Sequence, residues 1–234
     1  GLFDSKNRKD INVYQFRDQY YNEELNAQLS IPLFQEWMKS PDYHRIKFVR
    51  CPYRRAVSSY LYTMGKEMEG EKARIRPLRA DFPQFTKKKQ VFMSFRVFLQ
   101  LLSRLNLEVF SSDNHYSKQF LYSEQKLVNY DTIYRLEELD SALEELYQRY
   151  NITDSDEIHV QQKRLQAHHL QFRDDIDECV AEWQYHDLYS IPEKGRWSFP
   201  HYRYFYNEQT QALVEELYQK DLEEYNYSFH PEQW

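Results

Sequence analysis

The sequence predicts an α/β fold in which a mainly parallel sheet is flanked by helices. Short apolar runs that are predicted to be strands, "IKFV" at 46–49 and "KLVNYDTIYRL" at 126–136, alternate with segments of helical periodicity. This alternation is typical of parallel strands joined by crossover helices. The strands visible in the sequence are too few to form a complete sheet.

Composition narrows the class of protein. The chain has 234 residues, of which 41% are hydrophobic and 17% aromatic, which is enough for a single domain over residues 1–234. The net charge of −6 argues against nucleic acid as a partner. No apolar run is long enough to span a membrane, and no secretory signal is visible.

Two cysteines, Cys51 and Cys179, form neither a disulfide framework nor a metal-ligand pattern. We therefore expect a reduced, cytoplasmic protein without a metal. The start "GLFDSKN" carries no Met, so the chain could also be a domain of a longer protein, to which the expectation about location would not apply.

The elements before residue 94 are predicted as follows. Helices are expected at 17–29 and 31–39, ahead of the first strand. Pro52 is expected to open the next helix and Gly65 to end it. Residues 66–93 lack periodicity and are rich in Lys and Arg, which predicts a basic surface excursion.

The remainder of the chain is predicted to be largely helical. Ser94 is expected to cap "FRVFLQLLSRL", the stretch "EELDSALEELYQRY" to form a helix, and Asn207 to cap a closing helix. Residues 155–189 are predicted to be mostly helical with a break around 170–174, and residues 190–203 to form a loop.

The stretch "FVRCPYRRAVSSYL" at 48–61 predicts an anion site. Arg50 follows the strand, at the sheet edge where parallel α/β folds bind ligands. The unpaired amides of a helix that opens at Pro52 would favour a phosphate beside this guanidinium. Ser58 lies about two turns into that helix and can reach back to the same anion. The alternative is a solvated arginine and a serine that is there only because it is small.

The same stretch resembles a sulfotransferase motif, in which a strand ends in Phe-Val-Arg and is followed by Asp/Asn-Pro-Tyr, a basic residue and Val-Ser-Ala-Tyr. Further stretches resemble this family in the same order: "MSFRVFLQLL" with "NHYSKQ", then "YDTIYRLEELDSALEEL", and finally "YRYFYNEQTQALVEELYQKDLEEYNY". The matches span residues 44–227. The chain therefore resembles the carbohydrate-type sulfotransferases, which implies a fold similar to that of the P-loop kinases.

This resemblance implies a donor, 3′-phosphoadenosine-5′-phosphosulfate (PAPS), and its product, 3′-phosphoadenosine 5′-phosphate (PAP). In the family, the residues that match Arg50 and Ser58 bind the 3′-phosphate. Cys51 stands where the family has Asp or Asn, which removes a turn-forming side chain but no phosphate ligand.

A late basic loop resembles the family segment that closes over the same phosphate. Its residues are Lys194, Gly195 and Arg196, with Arg203 nearby. The resemblance implies that they bind the donor, and the alternative is an ordinary solvated loop.

One element of the family is not visible in the sequence. A strand and a loop of the Pro-Lys-x-Gly-x-Thr or Lys-Cys-Gly-x-Thr type, which cradles the 5′-phosphosulfate, should precede Arg50, and nothing in residues 1–43 matches it. We expect that the sequence begins after this loop, because the missing strand would also complete the sheet. A degenerate site is the alternative.

An acceptor hydroxyl needs a base to take its proton. His115, in the segment "NHYSKQ", is the first candidate, although it could instead only order its loop. The carboxylates of Glu36 and Asp42 remain alternatives.

The acceptor is expected to be an anionic glycan or another carbohydrate. Residues 66–96 contain nine basic and four acidic residues, a local charge of +5. Such a charge suits an acidic acceptor, and Lys87, Lys88 and Lys89 are its candidate ligands. The alternative is a solvated loop that only keeps the protein soluble.

The leading hypothesis is therefore a PAPS-dependent transfer of a sulfuryl group to a hydroxyl, which the resemblance assigns to a carbohydrate. The alternative is a catalytically inactive module of the same fold that binds anions or nucleotides. A nucleotide kinase is a weaker hypothesis, because the sequence contains no Walker A motif.

Overall fold

The structure is a computed structural model that describes most of the chain beyond residue 39. The described residues are 40–68, 93–108, 115–125, 128–151, 171–173, 176–188 and 198–233. The helices predicted at 17–29 and 31–39, and all but the ends of the excursion predicted at 66–93, lie outside these ranges.

The chain divides into two compact units, residues 1–47 with 122–132, and residues 48–121 with 133–234. The single domain over residues 1–234 stays a prediction. In the first unit, the Arg45 guanidinium donates to both carboxylate oxygens of Asp131, at 2.9 and 3.1 Å. The hydrogen bonds and charge of Arg45 lower the pKa of Asp131 to about 2. This unit also contains a one-turn helix, α3 (Tyr122–Gln125).

The described residues form two small sheets. Strand β1 (Ile46–Val49) neighbours β2 (Thr132–Arg135), and the ring of Phe48 stacks on that of Tyr134 with centroids 5.4 Å apart. The strand predicted at 46–49 is confirmed, and the second predicted strand is confirmed over its last part.

The second sheet was not predicted. Strand β3 (Gln171–Arg173) pairs in parallel with β4 (Ser198–Pro200), with Phe172 opposite Phe199. The predicted break around 170–174 is therefore a strand, and part of the predicted loop at 190–203 is a strand too. Within 176–188, the helical residues are those of one 3₁₀ turn (Tyr185–Asp187), so the predicted helix is wrong there.

Helix α1 (Pro52–Met68) begins at the predicted residue but runs past Gly65. The glycine is therefore not a C-cap. A Cβ atom at this position would lie 3.2 Å from the hydroxyl of Tyr185, which is tighter than an ordinary contact. Gly65 thus lets a tyrosine approach the helix closely.

Helix α2 (Phe95–Leu102) begins where the sequence predicted, since the Ser94 hydroxyl accepts from the amide of Val97. It buries Phe95, Phe98 and three leucines against the core.

A 3₁₀ turn (Leu136–Glu138) follows β2 and leads into α4 (Leu139–Tyr150). Asn151, with φ of 50°, ends this helix in the left-handed region, which asparagine tolerates.

The closing helical segment consists of α5 (Glu208–Leu217) and α6 (Gln219–Glu224). The Asn207 side-chain oxygen accepts from the backbone amide of Thr210, and the Thr210 hydroxyl accepts from the backbone amide of Asn207, so a reciprocal capping box starts α5. The predicted cap is confirmed.

The core of the second unit is rich in aromatic rings from α1, α2 and the 3₁₀ turn Tyr202–Phe205. Buried tyrosines bond to backbone carbonyls: Tyr60 to Met93, and Tyr206 to Tyr53, both at 2.7 Å. Each hydroxyl thus finds an acceptor inside the core. The described helices include none that is both long and apolar enough to cross a membrane.

Candidate functional site

Arg50 is held by its backbone at the end of β1. Its N–H donates to the Gln119 side-chain oxygen at 2.8 Å, and its carbonyl accepts from the Gln119 amide nitrogen at the same distance. This reciprocal pair imitates the pairing of two strands, so the guanidinium extends from a fixed backbone.

Asp221 in α6 holds Gln119 in turn. Its carboxylate is fully buried and accepts from the backbone amides of Gln119, at 2.9 and 3.1 Å, and Phe120, at 2.8 Å. Burial raises the pKa of Asp221, while these amides and the charge of Arg55 act in the opposite direction. The closing helical segment therefore positions Arg50 through one loop.

The backbone amides at the start of α1 find hydrogen-bond acceptors within the protein. The Cys51 amide donates to the Glu137 carboxylate at 2.9 Å. Burial raises the pKa of the Cys51 thiol, and hydrogen bonds from the amides of Arg54 and Tyr53 partly offset this. The sulfur of Cys51 thus takes the capping place for which Asp or Asn was expected. The predicted anion would accordingly rely on side chains rather than on these amides.

Arg50 and Ser58 meet at one atom, the hydroxyl oxygen of Tyr202. A terminal nitrogen of Arg50 donates to it at 3.0 Å, and the Ser58 hydroxyl lies 2.9 Å from it. The two residues, eight apart in the sequence, thus reach the same point in space. A cation and a hydroxyl that converge in this way can bind two oxygens of one phosphate.

Arg54 approaches Tyr202 from α1. Its guanidinium carbon lies 5.5 Å from the centre of the Tyr202 ring, and that of Arg50 lies 5.8 Å from the same centre. Tyr202 itself is buried, with 6% of its surface exposed. Two guanidinium groups therefore flank a single aromatic ring.

His115 lies beside α1. Its ring stacks on Tyr62, with centroids 3.9 Å apart and an angle of 13° between the planes, and its carbonyl accepts from the Ser59 hydroxyl. Tyr62 is one helical turn beyond Ser58, so the histidine is on the side of α1 that carries the phosphate candidates. Its role as a base stays a prediction.

Of the other predicted ligands, Arg203 lies within the described residues. Arg203 is exposed and donates to the Tyr204 hydroxyl at 2.6 Å. Lys194, Gly195, Arg196 and the three lysines at 87–89 lie outside the described residues. At the end of the basic segment, Arg96 pairs with Glu182 and donates to Gln100. It therefore has partners within the protein.

Tyr202, Gln119 and Asp221 were not singled out from the sequence. Each acts through a contact with a residue 69 to 152 positions away. A single sequence carries no signal for such pairs, although all three lie in stretches that resemble family motifs.

Comparison with known proteins gives one match. A family model described as "Sulfotransferase family" matches residues 3–228, nearly the whole chain. Neither a curated protein nor a solved structure shows a significant match.

Proposed function

Because the chain belongs to the sulfotransferase family, we propose that it transfers a sulfuryl group from PAPS to a hydroxyl of a carbohydrate acceptor. The observation that carries the proposal is the convergence of Arg50 and Ser58 on the Tyr202 hydroxyl, at 3.0 and 2.9 Å. These are the two residues that the resemblance assigns to the 3′-phosphate of the donor.

The residues present fit a phosphate. Among the described residues, no carboxylate forms an ion pair with Arg50, whose side-chain partners are the Tyr202 hydroxyl and ring. A half-buried guanidinium without a counter-charge stabilises an anion through charge-assisted hydrogen bonds. Gln119 and Asp221 fix the backbone from which this group extends.

PAPS, when bound, supplies an activated sulfuryl group on a good leaving group. The chain's own part is to position the reactants and to move one proton. We assign the proton transfer to His115, whose ring would accept the proton of the acceptor hydroxyl. Arg203 and the late loop residues Lys194, Gly195 and Arg196 complete the proposed donor ligands.

The acceptor is proposed to be an anionic glycan. The support is the local charge of +5 in residues 66–96 of a chain whose net charge is −6. Replacement of Lys87, Lys88 and Lys89 by glutamine should flatten the rise of the acceptor KM with salt, since exposed charges are screened within about 8–10 Å. An unchanged salt response would remove these lysines from the proposal.

Donor binding is the direct test of the proposed function. Arg50→Ala should weaken PAP binding about tenfold to a hundredfold in calorimetry, the scale of one or two hydrogen bonds to a charged group. The matched control is Arg149→Ala, because Arg149 is exposed on α4 and pairs with Glu145. Equal PAP affinity in wild type and Arg50→Ala would refute the assignment.

The second candidate function is a module of the same family that binds the nucleotide without transfer. It is favoured by one observation, that residues 1–43 contain no sequence like the phosphosulfate loop. PAP binding that depends on Arg50, together with no transfer from PAPS to sulfated or carboxylated glycans, would select this alternative.

A further inference from the structure

Arg54 is the second cation at the Tyr202 ring. Its Nε atom is buried and has no hydrogen-bond partner among the described residues. No described carboxylate lies within ion-pair distance of its guanidinium group. Its contact is the face of the Tyr202 ring, 5.5 Å from the guanidinium carbon. A cation–π contact attracts the cation but offers no acceptor to its N–H groups.

Arg50 has a similar environment on the same ring. Its guanidinium carbon is 5.8 Å from the ring centre, and its hydrogen bond is to the neutral Tyr202 hydroxyl. Two like charges that share one buried aromatic side chain repel each other, and no described carboxylate compensates them. An anion with two negative charges would compensate both.

The helix places Arg54 correctly for such an anion. Arg54 and Ser58 are one turn apart on α1, so they lie on one face of the helix, and Arg50 precedes its first turn. Tyr202 contacts all three, through its hydroxyl or its ring. The three side chains therefore all contact one residue, Tyr202, rather than forming a row of separate surface charges.

We propose that Arg54 is a specificity-determining residue that selects a doubly charged phosphate monoester at the Arg50–Ser58 site. The inference rests on the proposed function, because it assigns the ligand class of the same site. With Arg54 present, the site favours a nucleotide that carries a 3′-phosphate over one that carries a hydroxyl there. Arg54 acts on this difference and not on the adenosine or the 5′-phosphate.

The test compares two nucleotides in calorimetry, PAP and adenosine 5′-phosphate, which lacks the 3′-phosphate. The variants are Arg54→Met, which keeps an apolar stem without charge, and Arg54→Lys, which keeps the charge without the fork of N–H groups. Arg54→Met should lower the ratio of PAP affinity to adenosine 5′-phosphate affinity about tenfold to a hundredfold, and Arg54→Lys should lower it less. Arg149→Met is the matched control.

The outcomes separate this inference from the proposed function. If Arg50→Ala weakens PAP binding but Arg54→Met leaves the affinity ratio within about twofold of wild type, the inference fails and the proposed function stands. If wild type does not distinguish PAP from adenosine 5′-phosphate, both fail. Inorganic phosphate serves as a competitor, and displacement of PAP at equal concentrations would show a free-phosphate site and overturn the inference. Circular dichroism at the assay temperature confirms folding, and Arg54→Lys keeps the test decisive if Arg54→Met does not fold.

Discussion

Arg54 and Arg55 are neighbours on helix α1, but they have opposite surroundings. Arg54 contacts the ring of Tyr202 and has no carboxylate partner in the described structure. Arg55 has a buried nitrogen, packs its guanidinium 6.0 Å from the Tyr218 ring centre and interacts with the charge of Asp221. Burial lowers the pKa of Arg55, and its electrostatic interactions with Tyr218 and Asp221 oppose this.

The contrast shows that residue type alone does not decide a residue's role. Arg55 interacts within the protein with the opposite charge of Asp221. Arg54 and Arg50 are not compensated by any described carboxylate, which is why we propose that their charges bind a ligand. One helix thus separates a face that holds the core together from a face that can bind an anion.

The largest effect is expected at His115, which stacks on Tyr62 of α1, near the proposed phosphate site. His115→Ala should lower kcat about 10²–10⁴-fold, the usual scale for a positioned general base, and leave PAP affinity nearly unchanged. Steady-state kinetics and calorimetry on the same preparation measure both quantities. His230→Ala is the control, since His230 is exposed and pairs with Glu232. An equal loss in kcat and in PAP affinity would make His115 a structural residue.

Asp221, beside the core face of α1, is expected to contribute to the stability of the fold. Asp221→Ala leaves the amides of Gln119 and Phe120 without their acceptor and removes the charge that faces Arg55, which should lower the free energy of unfolding by about 3–5 kcal/mol in denaturant titrations. Asp221→Asn keeps an acceptor oxygen and should cost less. Asp177→Asn, at an exposed position, is the control. Unchanged stability in Asp221→Ala would show that this face does not depend on the pair.

The pH dependence of stability tests the contribution of Asp221 in a second way. Burial raises the pKa of Asp221 above the ordinary aspartate value of about 3.9, so the folded protein keeps a proton that the unfolded chain releases. The contribution of this carboxyl to stability should therefore fall as the pH rises from that value through the raised one. Asp221→Asn should remove this slope.

The smallest effect is expected from Tyr202→Phe, which removes only the hydroxyl that Arg50 and Ser58 share. Loss of one neutral orienting group should weaken PAP binding about twofold to tenfold. Tyr43→Phe, at an exposed position to which no role is assigned, is the matched control. Tighter binding in Tyr202→Phe would contradict the expectation and show that the hydroxyl competes with the anion for Arg50 and Ser58.

Local signals explain which parts of the fold were predictable. The strand at 46–49, the start of α1 at Pro52 and the caps Ser94 and Asn207 depend on neighbours in sequence, and the structure confirms them. Gly65 was wrongly predicted to end α1. The reason for a glycine there is the close approach of the Tyr185 hydroxyl, which is far away in the sequence.

Strands β3 and β4 escaped prediction because three residues each are too few to show a period of two. Their stability comes from pairing across the chain.

The candidate site was predictable only in part for the same reason. Arg50 and Ser58 belong to one continuous motif, so a sequence can connect them. Tyr202 lies 144 residues after Ser58 and joins them only in space. The sequence "RR" at 54–55 also does not indicate which arginine faces the core, since both orientations are compatible with the pattern.

The tyrosines of the core have an optical consequence. Burial raises the pKa of Tyr60, Tyr206 and Tyr218 above the ordinary phenol value of about 10, and each phenol donates to a backbone carbonyl. These rings stay neutral while the protein is folded, so their contribution to stability is lost only as the pH rises above that value. Phenolate absorbance from them should therefore appear in step with alkaline unfolding. The absorbance of these buried tyrosines can therefore be used to follow alkaline unfolding without an added dye.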